Sequence, residues 1–323
     1  MSAQRVAAID CGTNSIRLLV ADVDASGGTL RDLAREMRIV RLGEGVDRTG
    51  EFSSGAIERT LAACDEYASA IESLRTHNGD PIPLRFVATS ASRDARNRDL
   101  FIDGVHARLG VTPEVVSGDE EALLSFVGAT REDAGAAEPA LVVDLGGGST
   151  EFVMQPTAGG PLRARSVDVG CVRMTERHIR HDPPTADEVA AIRADVDAAF
   201  ALAAQEVPIH EARSIIGLAG TVTTVVALAL GLEEYDTQRL HLARIPVTDV
   251  HEVTERLIAM TTAQRAALGV MHPGRADVIA AGALVIDQIV RATGLLELIA
   301  SEHDILDGIA WSLAEGGRLS ASH

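Results

Sequence analysis

Aromatic residues are scarce in this sequence. Six Phe, two Tyr and one Trp amount to 3% of 323 residues, so any core has to be filled by Ala, Val, Leu and Ile. Cysteine is scarcer still. Cys11, Cys64 and Cys171 are odd in number and far apart, which argues against a disulfide framework or a cysteine zinc cluster and makes a reducing cytoplasm the expected compartment. No apolar run approaches the ~20 residues that a membrane helix needs. The opening MSAQRVAAIDCGTNS has no basic region followed by an apolar stretch and a cleavage site, so no secretory signal or membrane association is expected. Positive charge is also in deficit: 29 Lys and Arg stand against 47 Asp and Glu, a formal charge of −18. A nucleic-acid partner is therefore not expected, since duplex affinity depends on Lys and Arg displacing counterions.

A hydrophobic fraction of 46% over 323 residues suits two globular domains, each with its own core. The first strong pattern is RVAAID, CGTNS, IRLLVADVD: an apolar strand ending in Asp, a small polar turn, and a second apolar strand. It returns as ALVVD, LGGGST, EFVMQP. Two copies, one opening each half, point to an internal duplication. Between them come a strand at MRIVRL, a helix from about Gly55 to Leu74, a strand at LRFVATS, a helix near Asp94–Leu109, and a helix from Asp119. The patternless stretch Thr130–Pro139 reads as the connection between halves. In the second half, Thr185 and Glu188 form a capping box before a long helix. A strand–turn–helix follows at SIIGLAGTVTTVVALAL, then a helix over about Ala276–Thr293, a strand at LELIAS and a closing helix at DILDGIAWSLAEG. Strands alternating with helices predict α/β architecture.

A turn of Gly, Ser, Thr and Asn between strands exposes backbone N–H groups and hydroxyls in one small concavity, which suits phosphate oxygens. Gly146, Gly147 and Gly148 let the backbone approach such a ligand without Cβ obstruction. Asp10 and Asp144, each at a strand's end, can hold a hard cation. One such turn would be ordinary hairpin chemistry. Two in equivalent places are not. Glu151, one strand step past the second turn, can point opposite to Phe152. In SGDEEA, Ser117 and Glu120 make a capping box, which accounts for Glu120; Glu121 is not needed for that cap. Cys11 has no nearby His or Lys to activate it and reads as structural. His178 and His181 read as a solvated face, and HEVTER at His251 lacks the second histidine of a zinc protease motif.

The paired turns DCGTNSIRLLV and VVDLGGGSTEFV, with RLGEGVDRTG, FVATSASRDARN, VVSGDEEA, GLAGTVTT and HPGRADVIAAGALV, resemble those of the exopolyphosphatase and guanosine pentaphosphate phosphohydrolase family. That family belongs to the superfamily of actin, sugar kinases and heat-shock chaperone ATPases. The resemblance implies two ribonuclease-H-like domains with mixed five-stranded sheets facing an interdomain cleft, residues 1–127 and 128–323, with the last helix packing back on the first. It implies the short form of the family, which looks like a homodimer.

By the same resemblance the chain hydrolyses the terminal phosphate of inorganic polyphosphate, with guanosine pentaphosphate as the alternative substrate. A superfamily kinase or a non-catalytic nucleotide switch ranks below both. Glu121 matches the family's catalytic base. Phosphate binding falls to Thr13, Asn14, Ser15, Arg93, Gly146, Gly147, Gly148 and Ser149, with Arg17 a weaker candidate. Mg2+ (or Mn2+) falls to Asp144 and Glu151, with Asp10 contributing. In so acidic a chain the phosphate site should depend on metal and on locally clustered Arg. Arg275 and Asp277 lie in a family segment with no chemical role assigned. Many relatives carry a Gly-Leu-Arg-Glu-Gly stretch where this chain has DILDGIA, so no site residue is expected there.

Overall fold

The computed structural model describes residues 3–75, 80–132 and 134–316; Asp133, within the predicted connection, lies outside the described residues. The chain forms two compact units. One runs up to Arg131 and resumes at Ile305, and the other is Glu132–Asp304.

In the first unit, β1 (Gln4–Cys11), β2 (Ser15–Asp24) and β3 (Thr29–Ile39) form an antiparallel meander. Helices α1 (Val46–Thr49) and α2 (Ser54–Ser73) lead to β4 (Leu84–Ala88), which pairs in parallel with β1. Helices α3 (Ser90–Asp94) and α4 (Arg98–Leu109) lead to β5 (Glu114–Val115), and α5 (Gly118–Thr130) follows. The helix predicted near Asp94–Leu109 is thus α4, which begins at Arg98; the short α3 before it ends at Ala95, whose backbone is extended. The strand at MRIVRL begins earlier, at Thr29, because β2 supplies a partner along its whole length.

The second unit repeats this plan. Strands β6 (Ala140–Leu145), β7 (Thr150–Met154) and β8 (Arg163–Val167) form the meander. After α6 (Cys171–His178) and α7 (Ala186–Glu206) comes β9 (Ser214–Leu218), parallel to β6. Then follow α8 (Ala219–Ala229), α9 (Thr237–Leu240), β10 (Arg244–Pro246), α10 (Val247–Ala259), α11 (Thr262–Ala266), α12 (Ile279–Thr293) and β11 (Glu297–Ala300). Sheet orders are β3-β2-β1-β4-β5 and β10-β11-β9-β6-β7-β8. Read from the meander edge, five strands correspond one to one. The second sheet gains a sixth, the three-residue β10, beside β11.

Strand alternation places both faces of the first sheet in cores. Ala7, Ile9 and Cys11 join Tyr67, Phe86 and Phe101 on one side. Val6 and Ala8 join Leu124, Ile309 and Trp311 on the other. Leu124 lies on α5, while Ile309 and Trp311 lie on the closing helix α13 (Ile305–Ala314), which therefore belongs to the first unit. On the first of these faces Phe101 makes edge-on contacts with Phe52 and Phe86 at 5.9 and 6.0 Å. Thr185 caps α7, and Glu188 returns the bond at 2.8 Å. Among the described residues no helix is long and apolar enough to cross a membrane.

DILDGIA, where no site residue is expected, has a packing role. A Cβ on Gly308 would lie 2.0 Å from the Leu124 carbonyl oxygen, so α13 and α5 touch backbone to backbone. Beside it, buried Asp307 takes Arg35 at 2.6 Å. Overpacking this contact should cost about 3 kcal/mol. Gly308→Ala is expected to lower the urea midpoint of the first unit clearly; an unchanged midpoint would show that the two helices separate without cost.

Candidate active site

Parallel strands β1, β4 and β5 end at Cys11, Ala88 and Val115, so the segments leaving them emerge along one edge of the sheet, where open α/β sheets bind ligands. The turn after β1 closes with Gly12 N–H donating to Ser15 O at 2.9 Å. Asn14 O accepts from Val40 and Arg41 N–H, and Thr13 O from Gly43 N–H at 2.9 Å. Gly43 has to be glycine, because a Cβ there would lie 2.4 Å from Thr13 Cγ2. The carbonyls of residues 13–15 are therefore all taken. Among the described residues the N–H groups of Thr13 and Asn14 have no partner. The Thr13 hydroxyl lies 3.0 Å from Ser90 Oγ, and the residue also offers an anion its N–H.

After β4, Thr89 N–H donates to Cys11 O, and α3 carries Arg93. Arg93 Nη1 donates to Glu121 Oε2 at 2.7 Å and to Val116 O at 3.1 Å. The structure thus joins the predicted base to the predicted phosphate-binding arginine. Among the described residues Arg93 Nε and Nη2 have no partner, leaving that edge of the fork for a ligand. Glu121 sits buried in the first turn of α5. Ser117 caps that helix, accepting from Glu120 N–H at 3.2 Å. The Glu120 carboxylate does not serve the predicted box: it turns to Arg85 at 2.8 Å, which also holds Glu114. A buried guanidinium offers a charge-assisted bond stronger than a neutral cap.

The turn after β6 is built alike, with Gly146 N–H donating to Ser149 O at 3.0 Å. Its carbonyls are tied down by α6. Gly146 O accepts from Cys171 N–H, and Gly147 O from Val172 and Arg173 N–H. Gly148 O takes Arg173 Nε at 2.6 Å. The first-turn donors of a helix are consumed in holding this turn. The N–H groups of Gly147, Gly148 and Ser149 have no partner among the described residues. Gly170 makes this approach possible: a Cβ there would lie 2.5 Å from Gly147 C and O. Neither Gly170 nor Arg173 stood out in the sequence. The only signal is a glycine directly before a helix.

Asp144 and Glu151 are directly opposed in the β6–β7 ladder, buried on one face of the sheet. In the first unit the same register opposes Asp10 to Arg17, and Arg17 donates to Asp10 Oδ2 at 2.6 and 3.0 Å. Opposed carboxylates repel, whereas an opposed Asp–Arg pair is neutral within the protein. The oxygen set of Asp144 and Glu151 fits a hard cation. Asp10, predicted as a further ligand, is engaged by Arg17 through Oδ2. Ser166 Oγ orients Glu151 by donating to Oε1 at 2.7 Å.

At the end of β9, GLAGT places Ala219 at φ 70°, the left-handed region, and Gly220 beneath the guanidinium of Arg275. A Cβ on Gly220 would lie 2.2 Å from Arg275 Cζ. This gives the HPGR segment a structural partner. The histidines set aside have separate carboxylates: His178 pairs with Asp195, His181 with Glu188 and His251 with Asp287. All three cysteines are buried and free, and burial pushes the Cys11 thiol well up and Cys64 up to about 12.

The model of the Ppx/GppA phosphatase family matches residues 19–315. The chain belongs to that family. It is 51% identical to Exopolyphosphatase 2 of Mycobacterium tuberculosis over 97% of this chain and 100% of that one. A crystal structure of an exopolyphosphatase-like protein superposes with a TM-score of 0.91 at 42% identity, covering 97% of this chain and 98% of that one. The Ppx/GppA family member of Aquifex aeolicus superposes at 0.76 with 28% identity over 97% and 99%. The matched range contains the second turn, Arg93, Glu121, Asp144 and Glu151, whereas Asp10 and the first turn precede it.

Proposed function

We propose that this chain is an exopolyphosphatase, a hydrolase that releases the terminal phosphate of inorganic polyphosphate. The likeness to the mycobacterial Exopolyphosphatase 2 along the full length of both chains supports the activity. The observation that carries the site is the construction of the two turns: the carbonyls of residues 13–15 and 146–149 are bound to the protein, and both turns keep N–H groups for an anion. Arg93 adds a charged donor through its open edge. A chain of net charge −18 binds a polyanion through these local donors rather than through its surface as a whole.

Glu121 takes a proton from water as the water oxygen bonds to the terminal phosphorus. The bond from phosphorus to the bridging oxygen breaks, its electron pair leaves with the shortened chain, and orthophosphate is released. Arg93 fixes the direction of the carboxylate and meets the charge spread on the equatorial oxygens. Asp144 and Glu151 would hold Mg2+ (or Mn2+), which would supply positive charge to the phosphate oxygens. Glu151→Gln is expected to raise the Mg2+ concentration for half-maximal activity on the order of tenfold. Unchanged Mg2+ dependence would remove Glu151 from the metal.

The test is phosphate release from polyphosphates of defined length, beside guanosine pentaphosphate in the same assay. Release from polyphosphate, unaffected by an equal concentration of guanosine pentaphosphate, is expected. Hydrolysis of guanosine pentaphosphate alone would overturn the reading in favour of that substrate. Phosphate transfer from ATP to an acceptor would overturn it in favour of a kinase.

A further inference from the structure

Parallel strand β11 ends at Ala300, and the segment beyond it carries a second group of ligand-type side chains. His241, His303 and Glu132 each direct one ligand atom into a space where all lie within 4.8 Å of one another. His241 Nε2 is 3.0 Å from Glu132 Oε2, His303 Nδ1 is 3.6 Å from the same oxygen, and the two rings are 4.3 Å apart. The three come from distant parts of the sequence. Long-range contacts hold them together: Leu242 N–H donates to Ala300 O and Ala300 N–H to Ala243 O, pinning the His241 segment beside β11. Leu242 takes φ 60° to do so, a left-handed conformation that a branched-chain residue adopts only under constraint.

We propose that Glu132, His241 and His303 bind a transition-metal ion of the Zn2+ class. Two imidazoles and one carboxylate are a zinc ligand set, and the exposed Glu132 leaves a fourth position for water. The set is chemically unlike Asp144 and Glu151, whose oxygens suit Mg2+; imidazole selects the later transition metals. The hydrogen bonds say what binding requires. His241 Nδ1 accepts from Glu302 N–H at 3.2 Å, so the neutral ring carries its proton on Nε2, facing Glu132. A cation on Nε2 displaces that proton to solvent, the neutral ring takes one up on Nδ1, and the contact with Glu302 N–H opens. Binding is thus linked to a shift of residues 301–303. That segment stands immediately before the chain passes back to the first unit at Ile305, and Glu132 follows immediately after it leaves at Arg131. The ion therefore ties both crossing segments to the stretch between α9 and β10.

The experiment uses the full chain, stripped with chelator and titrated with Zn2+ by equilibrium dialysis and with Co2+ by its visible ligand-field bands, both in excess Mg2+. One ion per chain is expected, with Co2+ bands of nitrogen and oxygen coordination and a rise of about 5 °C in the melting temperature at a hundredfold excess of Zn2+ over Kd. His303→Ala and Glu132→Gln, both at partly exposed side chains, should each weaken uptake at least about tenfold, whereas Glu151→Gln should retain it. The proposal is overturned if no Zn2+ is taken up, or if His303→Ala binds as tightly as the parent. Neither outcome bears on polyphosphate hydrolysis, which the Mg2+ assay reads separately.

Discussion

Glu121→Gln is expected to lower kcat on polyphosphate by about 10^2–10^4-fold while KM changes little, the range that positioned proton transfer contributes. The substitution keeps the shape of the side chain and still offers Arg93 Nη1 an amide oxygen at the place of Oε2, 2.7 Å away. What it removes is the capacity to accept a proton from water. The N–H groups of both turns and the open edge of Arg93 are untouched, so substrate should bind as before. Steady-state kinetics with polyphosphate of one defined length, together with a thermal melt, check this. Undiminished kcat would dismiss Glu121 as the base. A parallel fall in melting temperature would assign it to the Arg93 ion pair instead.

The sequence showed the duplication because both copies keep Asp, turn and strand at the same spacing, and the ladders keep the register as well. Arg17 lies seven positions after Asp10 and Glu151 seven after Asp144, and each pair is directly opposed. What composition and spacing did not show is that the two copies have diverged in charge at that one position. The first copy is closed by an ion pair; the second retains two carboxylates. Pairing across strands is a tertiary fact that period-2 alternation leaves open. For the same reason Arg93 read as a phosphate ligand alone, since nothing local to TSASRDARN indicates that Nη1 is spent on Glu121, 28 residues further on. The sixth strand was illegible because three residues, RIP, carry no alternation. Capping is local chemistry and was read correctly at Thr185. At Glu120 it was read only in part, since a distant arginine competed for the carboxylate.

Gly170→Ala should lower kcat/KM by about a hundredfold with the fold intact. Its φ of −155° is extended backbone open to any residue, so the glycine is not there for conformational freedom. The constraint is space: the new methyl would lie 2.5 Å from Gly147 C and O and 2.7 Å from Gly148 N. None of these atoms is the end of a flexible side chain, so the second turn has to move on the order of an ångström, and a displacement of that size at positioned groups costs about 10^2-fold. The turn cannot simply swing away as a body. Its carbonyls are bonded to the first turn of α6 and to Arg173, so moving it either breaks those bonds or re-aims the N–H groups of Gly147 and Gly148. Either way the loss falls on substrate binding as well as turnover, with KM rising, which separates this variant from Glu121→Gln. Gly55→Ala serves as the control: the nearest atom to its new methyl is the end of the Arg59 side chain at 3.5 Å, and full activity is expected. Wild-type KM in Gly170→Ala would mean that the N–H groups of this turn do not touch the substrate.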